Sequence, residues 1–496
     1  MSVPVAEPVP KTLRQRLLSG TIWQLGLALA GRSFSFLLNV LQGRYLGVAG
    51  YGQLSLVQNT LQFLALFAGA ATGSTCVKYL SELRVTQPTR VQRILGFSVG
   101  IVVLGSLVAG GLLALWASPI AVHVLHQPTM TPLLRLSSFA LIAICIGGTW
   151  SGVLFGFQMF RTEAIVRFVQ AFSWFAICVA LMRWSGVWGA VLAYDISCAL
   201  TLALLLWFGI RALRKHQLQL DFRNAHQERR VFKEYSLPVM LQTAVILCSQ
   251  YAVFAMLSRS PGGDLATGRF FAAFQYRLVI QYLPIMVQMT AGPIVAELLG
   301  AGQRERAGRL FYKILGATSL GLTGLSLVMV AFSAWLLGLF GKGFHGSPLL
   351  FASVMAYAVT IAGNNLAAMA LQMHSKPWVA FRADAAAAAA TLIMAYILIG
   401  PYQDVGLAMA LQFGAVTQAV VYMVSTRDVG PVARQKIGNF RYVVVVLLAP
   451  QLCMLLALAR EGVRSPVLWL ISVGVIVLLL WCTAGWYRRL TARAAA

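Results

Sequence analysis

Three arginines, Arg32, Arg269 and Arg277, lie inside long apolar stretches of this sequence. A guanidinium stays charged at any physiological pH and presents a planar fork of donors that fits two oxygens of one phosphate or carboxylate. Holding it in hydrocarbon costs at least a few kcal/mol, so it normally faces a water-filled pathway, a partner or a bound anion. Two acids share that setting, Asp195 and Asp384. Each could pair with a basic group (Arg382 stands two residues from Asp384) or bind a coupling cation. His123 and His126 have a metal-compatible spacing, but two histidines without a third ligand do not make a metal site. The seven cysteines, Cys76, Cys145, Cys178, Cys198, Cys248, Cys453 and Cys482, all fall in apolar stretches without CxxC spacing. They read as small core hydrophobes. No P-loop, HExxH or nucleophile elbow is present, so the expectation is a non-enzyme without a cofactor.

The elements that must position these groups follow from composition. Of 496 residues, 59% are hydrophobic and 11% charged, with a mean hydropathy of +0.76. A soluble domain carries roughly a quarter charged residues. Backbone amides cannot go unpaired in lipid, and the alternation of a membrane barrel is absent, so helices must do the spanning. The expected fold is an all-α polytopic membrane protein with about 14 transmembrane helices. Residues 1–17 form a polar tail, 18–210 a first set of six spans, and 211–234 a basic linker. Residues 235–426 hold a second set of six, and 427–496 two additional helices and a short tail.

The formal charge of +25 would suggest nucleic acid in a soluble chain. Here alternate loops separate it: 29 Lys or Arg fall on the side holding both termini and seven on the other. The rule that cytoplasmic loops are positive then places both termini in the cytoplasm and leaves no role for nucleic acid. The outer loops are short, which disfavours membrane enzymes that polymerise or ligate glycans.

The polar residues are arranged by face. On a helical wheel, Gln24, Arg32, Ser35, Asn39 and Gln42 share about an 80° arc of the first span. Ser55, Gln58, Asn59 and Gln62 gather on the second span, and Gln242, Thr243, Ser249 and Gln250 on the seventh. The eighth carries Arg269, Tyr276, Arg277, Gln281, Pro284 and Gln288 within about 140°. These spans open the two halves, as in transporters built from internal repeats. The expectation is a hydrated cleft lined by Gln24, Asn39, Gln58, Gln62, Gln242, Gln250, Tyr276, Gln281 and Gln288, with the three arginines as anion ligands. Such residues also simply glue membrane helices together, at about 0.6 kcal/mol a contact. Arg277, about eleven residues into its span, is too deep to snorkel easily, whereas Arg269 lies close to the outer boundary.

Residues 19–23 (SGTIW), 39–47 (NVLQGRYLG), 50–54 (GYGQL) and 77–83 (VKYLSEL) resemble the opening of the polysaccharide flippases. These are the Wzx-type transporters of the multidrug/oligosaccharidyl-lipid/polysaccharide exporter superfamily. The most specific piece is R-x-L-G-x-x-x-Y-G, here Arg44, Leu46, Gly47, Tyr51 and Gly52. The resemblance implies two six-helix bundles forming a V-shaped cavity, plus two C-terminal helices. It also implies transfer of an undecaprenyl-diphosphate-linked glycan to the outer leaflet of a bacterial cytoplasmic (inner) membrane, for exopolysaccharide, O-antigen or capsule. The implied partners are that lipid-linked glycan, the bilayer, and a polysaccharide polymerase with chain-length or export proteins. In such proteins cations in spans one, two and eight are associated with the diphosphate. Arg32, Arg269 and Arg277 fall in spans one and eight, but span two has no Lys or Arg before Lys78. Alternatives within the superfamily are a lipid II flippase and a cation-coupled multidrug exporter, which would want carboxylates in place of arginines.

Overall fold

A computed structural model describes residues 13–69, 71–84, 86–223, 228–231, 236–282, 284, 303–344, 347–373 and 377–425. The two spans expected in 427–496 lie outside the described residues. Among the described residues the chain is helical throughout, with no strand. In chain order the helices are α1 (Leu13–Gly69), α2 (Thr72–Leu83), α3 (Pro88–Pro119), α4 (Thr131–Leu136), α5 (Ser138–Gly156) and α6 (Phe160–Lys215). Then come α7 (Leu237–Ser258), α8 (Gly263–Gln275), α9 (Arg304–Ala331), α10 (Ser333–Gly338), α11 (Pro348–Met373) and α12 (Pro377–Ser425).

Three of these helices are too long for one crossing. At 1.5 Å per residue the 56 residues of α6 would reach about 84 Å, against a hydrocarbon core of about 30 Å. The backbone breaks at Gly47 (φ 69°) in α1, at Gly186 (φ 57°) in α6 and at Gln403 (φ 47°) in α12. Glycine takes positive φ without steric cost, so a single residue suffices to interrupt the ladder. Behind two of the breaks the chain folds back on itself. A Cβ on Gly189 would collide with the Leu181 carbonyl, and one on Gly406 with that of Leu398. Gln403, which lacks glycine's freedom, is held by its side-chain amide, which donates to the Pro261 carbonyl at 2.8 Å.

The chain divides into two compact units. The first comprises residues up to Leu41, Thr60–Ser118 and Thr129–Leu241; the second comprises Gln42–Asn59, Pro119–Pro128 and the chain from Gln242. In the first, α2 crosses α5 at small residues, with the Thr72 and Thr149 hydroxyls 2.6 Å apart. Glycines let the backbones touch there: a Cβ on Gly152 would collide with the Gly73 carbonyl. Trp150 lies over Gly209, inside a core built with Leu80, Leu95, Leu154, Val166 and Leu205. The basic linker is fastened to this unit. The Asp221 amide donates to the Gln92 carbonyl at 3.2 Å, and buried Glu228 lies 3.4 Å from Arg90 and 3.7 Å from Arg93.

In the second unit, Phe254, Phe270, Phe271 and Phe274 pack edge-on and stacked around α8, and Phe274 stacks on Tyr357 of α11. Trp184 is 90% exposed, and Leu115, Phe139 and Tyr396 are also largely exposed. Such a surface suits acyl chains and would aggregate in water.

The α2–α5 crossing generates a test. Gly152→Ala forces a methyl against the Gly73 carbonyl and should destabilise the protein by about 1–3 kcal/mol. Gly100, where an added Cβ would find nothing within 4 Å, should accept Ala without loss. Thermal unfolding of both variants in detergent checks this; equal midpoints would refute the close approach.

Candidate functional site

The site is built outward from Arg277, just beyond the end of α8. Its guanidinium carbon lies 3.7 Å from the ring centroid of Phe274, three residues earlier and hence on the same helix face. The Tyr357 hydroxyl of α11 hydrogen-bonds the guanidinium and is itself bonded to the Gln250 side chain of α7. Arg277 is half-buried, and its Nε is buried without a hydrogen-bond partner. No carboxylate among the described residues pairs with it. Its positive charge is steadied by an aromatic face and a phenol, and it is not neutralised.

Beside this triad lies a cavity of about 60 Å³ lined by Ser249, Gln250, Tyr357, Asp384, Thr391 and Gln418, among others. That is room for about two waters, far too little for a diphosphate. Asp384 of α12 accepts from Gln418 Nε2 at 2.6 Å, and Gln418 Oε1 accepts from Asn364 Nδ2 at 2.8 Å. Asn364 Nδ2 also donates to the Ala415 carbonyl at 2.8 Å, and Gln412 donates to the Thr360 hydroxyl at 3.2 Å. Sequence reasoning reaches Asp384 in this chain of bonds but misses Asn364, Gln412 and Gln418. Their signal is present as polar residues deep in α11 and α12. It is easily discounted, because amides in membrane helices so often only hold helices together.

Arg269 has a different environment. Its Nε lies 3.0 Å from Asp404 Oδ2, and Asp404 is buried. Asp404 is not among the expected acids. Its depth, at the start of its span just as Arg269 is near the start of its own, is the clue. Arg32 is exposed on α1, in the first unit, while Arg269 and Arg277 belong to the second. Asp195, in α6, is 8% exposed, and neither carboxylate oxygen has a hydrogen-bond partner among the described residues.

The expected wall residues divide. Tyr276 is a core residue and not a wall residue: it is 1% exposed, packs on Phe340 and Phe351, and its hydroxyl donates to the Leu336 carbonyl at 2.5 Å. The helical wheel puts it beside Arg277, but adjacent residues on a helix point about 100° apart. Asn39 is buried and donates to the Ser35 carbonyl one turn back, at 2.8 Å. Gln62 is exposed and bonds Tyr194, while Gln58 and Gln281 are half-buried. The side chains of Gln24 and Gln242, and the whole of Gln288, lie outside the described residues.

The ion pair makes a prediction of its own. Arg269→Met alone strands a buried Asp404 and should cost on the order of 3 kcal/mol, whereas Arg269→Met with Asp404→Leu should regain most of it. Unfolding of the four proteins of this cycle in detergent gives the coupling; losses that merely add would mean that the pair contributes nothing.

A family described as polysaccharide biosynthesis protein matches residues 17–299. Over 370 residues the chain is 26% identical to the EPS I polysaccharide export inner membrane protein EpsE of Ralstonia nicotianae, spanning 72% of this chain and 80% of that one. Its fold is similar to that of the lipid II flippase MurJ in an inward closed conformation, with a TM-score of 0.69 at 15% identity over 95% of this chain and 100% of MurJ. It is also similar to an inward-facing multidrug resistance MATE family transporter of the MOP superfamily, with a TM-score of 0.64 at 13% identity over 81% of this chain and 96% of that one. With more than half of its length matched, this chain belongs to the family of polysaccharide biosynthesis proteins.

Proposed function

We propose that the protein is a flippase. It carries an undecaprenyl-diphosphate-linked oligosaccharide from the cytoplasmic to the outer leaflet, by alternating access around a cationic cavity. The observation that carries this reading is the un-neutralised guanidinium of Arg277 well inside an apolar span, fixed by Phe274 and Tyr357, with a buried Nε that has no hydrogen-bond partner. A diphosphate presents adjacent anionic groups, and charge-assisted hydrogen bonds from guanidinium to phosphate are the strong ones. Arg277 is the principal anion ligand in this scheme and exposed Arg32 the second. Arg269 contributes only when the anion competes with Asp404 for it.

Glycan hydroxyls meet the polar wall, Gln58, Gln62, Gln250 and Gln281 among them, while the polyprenyl tail remains in lipid. The relative named as a polysaccharide export inner membrane protein supports the cargo class and the membrane, and the fold shared with a lipid II flippase supports a lipid-linked headgroup. With the basic loops inside, the membrane potential favours outward movement of negative charge by about 2.3 kcal/mol per charge per 100 mV. That assistance disappears if the arginines travel with the phosphate. In that case a coupling cation at Asp384, which borders the small cavity, or at buried Asp195 supplies the drive. The rival reading, a cation-coupled multidrug exporter, rests on those same two carboxylates and gives Arg277 no task.

Cells lacking the native copy, complemented with variants and assayed for surface polysaccharide, provide the test. Arg277→Ala should lower export on the order of 10- to 100-fold at normal protein level, matching loss of charged hydrogen bonds of about 1.5–3 kcal/mol. Arg277→Lys should retain part of it, because the charge survives without the fork. Undiminished export by Arg277→Ala would refute the cationic-cavity mechanism.

A further inference from the structure

The signature R-x-L-G-x-x-x-Y-G lies far from Arg277 in the sequence and has no task in the scheme above. Within the second unit, each of its defining polar, aromatic or glycine residues makes or permits a specific contact. Arg44 Nε donates to the Leu339 carbonyl at 2.7 Å. Gly47 takes the positive φ that interrupts α1. Tyr51, 1% exposed, sits 5.6 Å from Phe340 and 5.9 Å from Phe344, ring centre to ring centre. Gly52 has no room for a side chain: its Cβ would stand 2.8 Å from the Asp264 carbonyl and 2.9 Å from the Gly268 amide. The fit is reciprocal, since a Cβ on Gly268 would collide with the Val48 carbonyl. A second strap lies nearby in the same unit. Arg259 donates through Nε to the Val124 carbonyl and through Nη2 to that of His123, each at 2.7 Å.

We propose that this segment is a latch, which holds residues 42–59 against 259–275 and 339–344 and must come undone once in every transport cycle. Three features distinguish a latch from a permanent joint. The first is connectivity: 42–59 and 119–128 pack in the second unit, yet at both ends the chain continues into the first. The second is the chemistry of the straps: exposed guanidinium groups donating to carbonyls exchange readily for water, whereas a buried ion pair or a disulfide does not. The third is the Gly52–Gly268 crossing itself. Backbones that meet through glycine have no side chains of their own at the crossing, so only the neighbouring aromatic residues must separate when it parts. The aromatic plug of Tyr51, Phe340 and Phe344 makes the closed form dry. All these residues lie at or next to loops that the charge asymmetry places on the outer side. The inference rests on the alternating-access reading given above and assigns that motion a place.

The structure supplies its own probe. A Cβ on Gly343 would lie 4.0 Å from the Val48 Cβ, inside the range that a disulfide spans. Cells carrying Val48→Cys together with Gly343→Cys, and no native copy, are oxidised with copper phenanthroline and then reduced with an impermeant phosphine. Cross-linking is followed by gel shift and export by surface polysaccharide. The expected result is an export at least 10-fold lower in the cross-linked protein, restored on reduction. Full export by the cross-linked protein, or failure of the bridge to form, overturns the latch.

A second measurement does not depend on the pair. The thiol of Val48→Cys alone, buried in the closed form, should react with an impermeant maleimide faster when cargo is being made than when its synthesis is blocked. Equal rates overturn the proposal as well. The two readings fail separately. A lock that stops export while Arg277→Ala exports normally spares the latch and removes the anion site, and the opposite pattern spares the site.

Discussion

Hydrocarbon cannot solvate a guanidinium, and proteins meet that cost in two ways that stand side by side in this molecule. Arg269 is matched by Asp404 at 3.0 Å, charge against charge. Arg277 lies against the face of Phe274 and the hydroxyl of Tyr357, which hold the cation without cancelling it. The two are eight residues apart in sequence, about two helical turns. An anion arriving at Arg269 must displace a carboxylate; one arriving at Arg277 finds its charge unopposed. The functional reading depends on that difference more than on the number of arginines.

The backbone answers to the same solvent. With no water to receive them, amides stay in helical ladders, and the chain turns at single residues: Gly47, Gly186 and Gln403. Packing follows suit. Lipid tails are as apolar as leucine, so helices gain little from apolar contact alone and associate by close approach. Gly73 against Gly152 and Gly52 against Gly268 are two uses of that rule. The first crossing is reinforced by paired threonine hydroxyls inside one unit. The second is surrounded by aromatic edges, exposed arginine straps and one buried side-chain bond, Tyr51 to Gln275, and it is to this crossing that we assign the motion.

Buried polar groups set the remaining terms. Asp384 accepts from the Gln418 amide, whose oxygen accepts in turn from Asn364, so that each member satisfies the next. Asp195 has no such company. A buried carboxylate with bare oxygens is more expensive to hold than one bonded to an amide.

Read as a string, the chain discloses properties of single segments: that it is apolar enough to live in a bilayer, and which three cations lie inside its apolar stretches. Such properties need only composition and period, so they can be read without knowing a neighbour. The family signature is equally legible there, but nothing in the string shows that Arg44 finds Leu339, almost 300 residues away. The pairings emerge only in the folded chain: Asp404 with Arg269, Phe274 and Tyr357 with Arg277, Tyr276 turned into the core. The cause is rotational. A helix that is apolar on every side has almost no amphipathic preference to fix its rotation about its own axis. Which polar residue meets which is then settled by the packing of its neighbours, and that packing is written in the whole chain at once.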